Sequence, residues 1–247
     1  MSDGRSDDLG KRIFYRVCRA IVLTPFKFLF QVTVRGQEKV PPAGAYVVAP
    51  SHRSIMDILF TPYITRRRVR FMAKQELFDK PFLAWLFTAL GGFPVDRGAA
   101  DRGAIRSAEH VLQGGEPLAV FPEGTRNNGP EIGPLFDGAV YLAAKLNVPI
   151  VPVAVGGTEQ ILASGRVLPK LHKVAIVVGD PIDPPIPPAP TGESRGRRPR
   201  VRRHDVADTT AKLRVALQDC FDEAQSLAGV EPPPAAGPGS AGELGQG

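Results

Sequence analysis

Residues 44–60 read GAYVVAPSHRSIMDILF. The first six are apolar, with β-branched Val47 and Val48, and read as a buried strand. A short polar stretch follows, and a helix is expected from about Ile55. Working outward, the same alternation recurs. Strands are expected at 32–35, 69–73, 118–121, 148–155 and 174–178. Helices are expected at 79–90, 101–113 and 136–146, with Pro81 near the first turn of the first, where proline is tolerated, and Gly114-Gly115 closing the second. Strands alternating with helices predict a single α/β domain with a mainly parallel central sheet flanked by helices.

The chain has 247 residues, 43% of them apolar and 23% charged, which excludes a wholly disordered or fibrous protein. Its formal charge of +6 suits an anionic partner without choosing among nucleic acid, membrane surface and phosphorylated substrate. Cys18 and Cys220 are far apart and fit no metal-binding spacing, so neither a disulfide framework nor a metal site is expected, and a reducing compartment is. No secretory leader is read in the polar first twelve residues. A membrane-spanning helix needs roughly 20 mostly apolar residues, and the best stretch, 13–34, is interrupted by Arg16, Arg19 and Lys27.

Five segments result. Residues 1–31 are a polar leader and an amphipathic helical segment in which Ile13, Phe14, Val17, Ile21 and Val22 recur at helical spacing. Pro25 is expected to bend or end that helix. The segment suits a core helix, or a helix lying on a membrane surface with its basic residues at the headgroups. Residues 32–180 are the core. Residues 181–203 carry seven prolines and, from 195 to 203, six arginines, and read as a loop too polar to pack. Residues 204–228 form a helix with Leu213, Leu217 and Phe221 on one face, and 229–247 are a low-complexity tail. The G-x-G-x-x-G match at 237–242 follows no strand and opens no helix, so a dinucleotide site is not expected. The arginine run lacks a recognition helix or RNA-binding aromatics, so nucleic acid is not an expected partner.

Three motifs carry chemistry. In the first, His52 and Asp57 are five residues apart. On one continuous helix that would place them about 140° apart, so they meet only if His52 lies in the loop and Asp57 in the first helical turn. Ser54 would then be an N-cap with Asp57 three residues on, in capping-box register. The same geometry lets Asp57 hold one imidazole nitrogen while the other takes a proton from a hydroxyl. In the second, at 121–126, a strand runs into Glu123, Gly124, Thr125 and Arg126; the glycine permits close approach and the arginine offers a fork for phosphate. In the third, at 91–97, glycine-loosened chain ends in Arg97.

With these in order, the sequence resembles the glycerolipid acyltransferase family typified by bacterial 1-acyl-sn-glycerol-3-phosphate acyltransferases, the lysophosphatidic acid acyltransferases. His52 and Asp57 match its H-x-x-x-x-D core, with Ser54 in register. Gly91 and Arg97 match G-x-x-F-x-x-R, residues 121–126 are a complete F-P-E-G-T-R, and 148–153 match V-P-I-x-P-V. Residues 73–77 resemble its A-K-x-E-L stretch. Three positions depart from the pattern: Ser51 replaces the usual asparagine, Pro94 the usual phenylalanine, and Phe136 a position often lysine.

The resemblance implies transfer of a fatty acyl chain from acyl-CoA or acyl-carrier protein to the free hydroxyl of 1-acyl-glycerol 3-phosphate, giving phosphatidic acid, with no cofactor or metal. His52 would be general base and Asp57 its orienting partner. Arg97, Arg126 and Lys74 would bind the acceptor phosphate. Glu123, with Gly124 and Thr125, would brace the turn and the acceptor's polar head, and donors near Gly124 or the start of the helix after Ile55 would hold the oxyanion. Phe82, Trp85 and Leu86 are candidates for an acyl groove. A lipid acceptor implies peripheral attachment to the cytoplasmic face of the cell membrane, with residues 11–31 and the arginines of 195–203 on anionic lipid. Other readings are an acyltransferase of the same fold acting on glycerol 3-phosphate or on a glyco- or amino-lipid, a lipid hydrolase or transacylase, and a non-catalytic lipid-phosphate binding module.

Overall fold

The computed structural model describes residues 4–95, 102–161, 170–186 and 201–230. A long helix α1 (Gly4–Leu29) leads into β1 (Thr33–Arg35) and β2 (Val47–Pro50). Then come α2 (Asp57–Phe60), a 3-10 turn (Thr61–Ile64), β3 (Arg70–Lys74), α3 (Pro81–Leu90) and β4 (Gly92–Val95). The chain continues through α4 (Arg102–Gln113), β5 (Leu118–Ala119), α5 (Gly138–Leu146), β6 (Ile150–Gly156), α6 (Thr158–Ile161), β7 (Ala175–Val178) and α7 (Arg203–Ala228).

The seven strands form one sheet in the order β1-β7-β6-β2-β5-β3-β4. Every pairing is parallel except β6 with β7. The central strands β2, β6 and β7 are buried along their whole length, which is why they read as continuous apolar runs rather than alternating ones. One face of the sheet (Val48, Val151, Val153, Ile176) packs with Leu23 of α1, with Phe30 just beyond its end, and with Phe60, Ile64 and Leu90. The other face (Val47, Ile150, Ala154, Val177) packs with residues of α4, α5 and α7, among them Leu112, Val140, Leu213, Leu217 and Phe221. The result is a three-layer α/β/α arrangement.

Four expectations are revised. Helix α1 runs through Pro25 rather than ending there. Proline removes one intrahelical bond, but Phe26 and Phe30 pack against Phe60 at 6.3 and 5.6 Å between ring centroids, which holds the last turn. The motif at 91–97 is not loose chain: Gly92–Val95 is a strand in parallel register with β3. It is the sheet edge, where Pro94 is tolerated without an N–H. Gly91, at φ 103°, ends α3, and a Cβ there would lie 2.3 Å from the Val69 carbonyl oxygen. The helix after His52 begins at Asp57, not near Ile55, because Ser54 to Met56 form a tight turn instead, with Asp57 N–H donating to the Ser54 carbonyl at 3.2 Å. The proline-rich segment packs at its start, where Ile182 and Ile150 exchange two backbone hydrogen bonds; residues 187–200 lie outside the described residues.

Candidate active site

Strand order explains why the motifs meet. β2 lies between β6 and β5, all three parallel. The segments leaving their C-terminal ends therefore emerge side by side, at the edge where α/β sheets place their ligands. They carry His52 to Asp57 after β2, Phe121 to Arg126 after β5, and Thr158 after β6.

His52 sits in the loop and Asp57 is the first residue of α2, as the spacing required. His52 Nδ1 lies 3.1 Å from Asp57 Oδ2. The same oxygen accepts the backbone N–H of Arg53 at 2.7 Å and of Ser54 at 2.8 Å. Asp57 Oδ1 accepts the Thr158 hydroxyl at 2.5 Å. A carboxylate only accepts, so its partner His52 Nδ1 carries the hydrogen and Nε2 is left as the acceptor. Asp57 is fully buried, while the His52 side chain is 16% exposed, with its ring 4.3 Å from that of Phe121. No described residue hydrogen-bonds His52 Nε2. The ring is thus fixed through Nδ1 and against Phe121, and its Nε2 has no partner among the described residues.

Glu123 is the second buried centre. Its Oε1 accepts the His52 backbone N–H at 2.8 Å. Its Oε2 accepts from Arg53 Nη1 at 3.2 Å, Asn127 Nδ2 at 2.8 Å and the Gly133 N–H at 3.2 Å. Its side chain has no exposed surface, so it braces the turn and the His52 loop rather than reaching toward solvent. Arg53 stacks on Phe221 of α7 at 4.5 Å and donates to the Glu131 carbonyl at 2.7 Å. Asn127 N–H donates to the His52 carbonyl at 3.0 Å. His52 is therefore clamped at its N–H, its carbonyl and its ring.

Gly124, at φ 67°, lets the turn reverse, and the Phe136 ring lies against it where a Cβ would stand 2.8 Å from a ring carbon. The N–H groups of Gly124 and Thr125 already donate within the turn, at 3.1 and 2.7 Å, so neither is the free oxyanion donor expected near Gly124. Thr125 and Arg126 are exposed, and no described residue pairs with the Arg126 guanidinium. Lys74 ends β3 in register with Val95 at the same sheet edge; Arg97 lies outside the described residues. Phe82 and Trp85 are 69% and 45% exposed on the outer face of α3, with rings 6.2 Å apart, while Leu86 is partly buried against the core. Ser51 is buried and its hydroxyl accepts the Val155 N–H at 3.1 Å, tying β2 to β6.

Three members of this constellation escaped sequence reading: Arg53, Asn127 and Thr158. Arg53 and Asn127 adjoin motifs and were legible only as spacers. Thr158 carries a weak signal, a hydroxyl directly after a buried strand and Gly156-Gly157. A cleft of about 910 Å³ between residues 127–130 and α7 is lined by neither His52 nor Asp57. Among the described residues no group of three or more His, Cys, Asp or Glu side chains is placed to hold a metal ion. Burial pushes the Cys220 thiol up to about 11, which leaves it a poor nucleophile.

Comparison with known proteins bears on this geometry. The family described as Acyltransferase matches residues 31–156. The 1-acyl-sn-glycerol-3-phosphate acyltransferase of Bacillus subtilis is 30% identical over 173 residues, covering 68% of this chain and 82% of that protein. The 1-acyl-sn-glycerol-3-phosphate acyltransferase alpha of Homo sapiens is 34% identical over 147 residues, covering 56% of this chain and 51% of the human protein. The crystal structure of the 1-acyl-sn-glycerophosphate (LPA) acyltransferase PlsC from Thermotoga maritima aligns with a TM-score of 0.68 at 25% identity, covering 89% of this chain and 82% of the other.

Proposed function

Because this chain belongs to the acyltransferase family, matched across residues 31–156, we propose that it transfers a fatty acyl group from a thioester donor, acyl-CoA or acyl-carrier protein, to the hydroxyl of 1-acyl-glycerol 3-phosphate. The product is phosphatidic acid, which places the enzyme in phospholipid biosynthesis. The observation that carries this reading is the His52–Asp57 pair at 3.1 Å, with no described residue bonded to the ring's other nitrogen.

The steps follow from that geometry. The acceptor hydroxyl oxygen attacks the thioester carbonyl carbon as His52 Nε2 takes its proton. The imidazolium is stabilised by the Asp57 carboxylate. The tetrahedral intermediate collapses, the carbon–sulfur bond breaks, and His52 returns the proton to the departing thiolate. General base catalysis of this kind contributes about 10²–10⁴-fold. Arg126 is exposed and available to the acceptor phosphate; Lys74 and Arg97 are assigned the same role.

A lipid acceptor places the site near a bilayer. No helix among the described residues is long and apolar enough to cross a membrane. Val17, Ile21 and Phe28 lie on one side of α1, 50%, 64% and 77% exposed, and α1 packs against α3, which exposes Phe82 and Trp85. Exposed apolar side chains beside the basic residues Arg16 and Lys27 support peripheral attachment to anionic lipid on the cytoplasmic face of the membrane. Residues 11–31 cannot simply be deleted to test this, because Leu23 and Phe30 belong to the core. An Ile21→Glu, Phe28→Glu variant keeps the fold and is expected to lose roughly tenfold or more in co-sedimentation with anionic vesicles. Undiminished binding contradicts this membrane face.

A second reading concerns the acceptor alone. Phe136 is 67% exposed and covers the turn that carries Arg126, which puts an apolar ring where the acceptor's head approaches. An apolar ring set against the phosphate disfavours 1-acyl-glycerol 3-phosphate and glycerol 3-phosphate alike, and favours a glyco- or amino-lipid acceptor. A panel of these acceptors with labelled acyl donors, read by mass spectrometry, decides. Fastest turnover is expected with 1-acyl-glycerol 3-phosphate, and turnover only with another acceptor replaces that assignment. No transfer to any acceptor, with tight lipid-phosphate binding, points to the binding module.

A further inference from the structure

We propose that Thr158 is a positioning residue for acyl transfer, and that helix α7 holds it in place from beyond the matched segment. The inference rests on His52 being the general base.

Asp57 must keep one oxygen aimed at His52 Nδ1. Its Oδ2 is held by two backbone N–H groups and the imidazole, but Thr158 is the sole described donor to Oδ1. Both Asp57 and Thr158 are fully closed to solvent, so water does not replace the hydroxyl if it is lost. The bond joins residues 101 apart in sequence and links the segments leaving β2 and β6. It fixes the plane of the carboxylate, and through it the imidazole.

Thr158 is held on both sides by one residue of α7. Gln225 Oε1 accepts the Gly157 N–H at 3.0 Å, and Gln225 Nε2 donates to Glu159 Oε1 at 2.7 Å. Helix α7 also rests directly on the strand end, since a Cβ on Gly156 would stand 2.5 Å from the Ala224 carbonyl. The matched family segment ends at residue 156. Thr158 and Gln225 therefore support the pair from outside it.

The test uses Thr158→Val, which is nearly isosteric and lacks the donor, beside Thr158→Ser, which keeps it. A hydrogen bond to a charged group is strong enough that Thr158→Val is expected to lower kcat roughly tenfold or more, with acceptor KM little changed. Without that donor the carboxylate interacts more strongly with the imidazolium, so the acid limb of the pH–rate profile moves to higher pH. Thr158→Ser restores most of the rate and the wild-type profile. In a His52→Ala background, Thr158→Val has no further effect on the residual rate, the signature of action through His52. Gln225→Leu lowers kcat in the same direction by a smaller factor, and supplies the test if Thr158→Val does not fold. A Thr158→Val enzyme with wild-type kcat and pH profile overturns the proposal, as does an equal loss with and without His52. These outcomes are distinct from failure of the general-base reading, which shows as full activity in His52→Ala itself.

Discussion

Replacing His52 by alanine is expected to lower kcat by about 10²–10⁴-fold while leaving the folded structure intact. Among the described residues the side chain makes one hydrogen bond, the 3.1 Å bond to Asp57, and one ring contact, with Phe121. The backbone holds its place independently, with the His52 N–H on Glu123 and its carbonyl on Asn127. Removing the ring therefore removes the base without releasing the loop. Acceptor KM should move little, because the phosphate is assigned to Arg126, Arg97 and Lys74. Steady-state kinetics with matched thermal unfolding curves checks this. A variant that unfolds early, or one that keeps wild-type kcat, contradicts the assignment.

The second large effect is expected at Glu123, and it falls on stability as much as on rate. Its carboxylate accepts four donors with no exposed side-chain surface, and its partner Arg53 has a side chain only 2% exposed. Removing one partner of a buried ion pair costs about 3–5 kcal/mol, because the other charge stays buried and uncompensated. Glu123→Ala should lose that much in urea unfolding, out of a typical total of about 5–15 kcal/mol. It should also lose activity, because the His52 N–H loses its anchor. Glu123→Gln keeps an acceptor for that N–H and should fall between. A loss below about 1 kcal/mol in Glu123→Ala contradicts a bracing role of this kind.

These two residues show what was legible in the sequence and what was not. The layers of the fold were readable because buried parallel strands are continuous apolar runs, and because α3, α4 and α7 each end at a glycine. The strand at Gly92–Val95 was not, because two glycines and a proline mask an edge strand whose identity comes from its partner β3. The His52–Asp57 pair was readable because both residues lie in one seven-residue turn, and spacing limits their geometry. Glu123 was visible as part of a motif, but its burial was not, since that depends on Arg53 arriving from the loop after β2 and on Asn127 and Gly133 of its own loop folding back onto it. Thr158 carried only a weak signal, because its bond to Asp57 exists only once β6 lies beside β2. The exposure of Phe28 beside the burial of Phe30 likewise depends on which face of α1 the rest of the fold covers.

The central claim is that His52 activates the acceptor's hydroxyl and carries no acyl group itself. Rapid-quench measurement of thiol release from a labelled acyl donor, with and without 1-acyl-glycerol 3-phosphate, tests it most directly. Run with acyl-CoA and with acyl-carrier protein, the account predicts thiol release that requires the acceptor, without labelled protein. A burst of thiol in the absence of acceptor, equal in amount to the enzyme and matched by a covalently acylated chain, would contradict it.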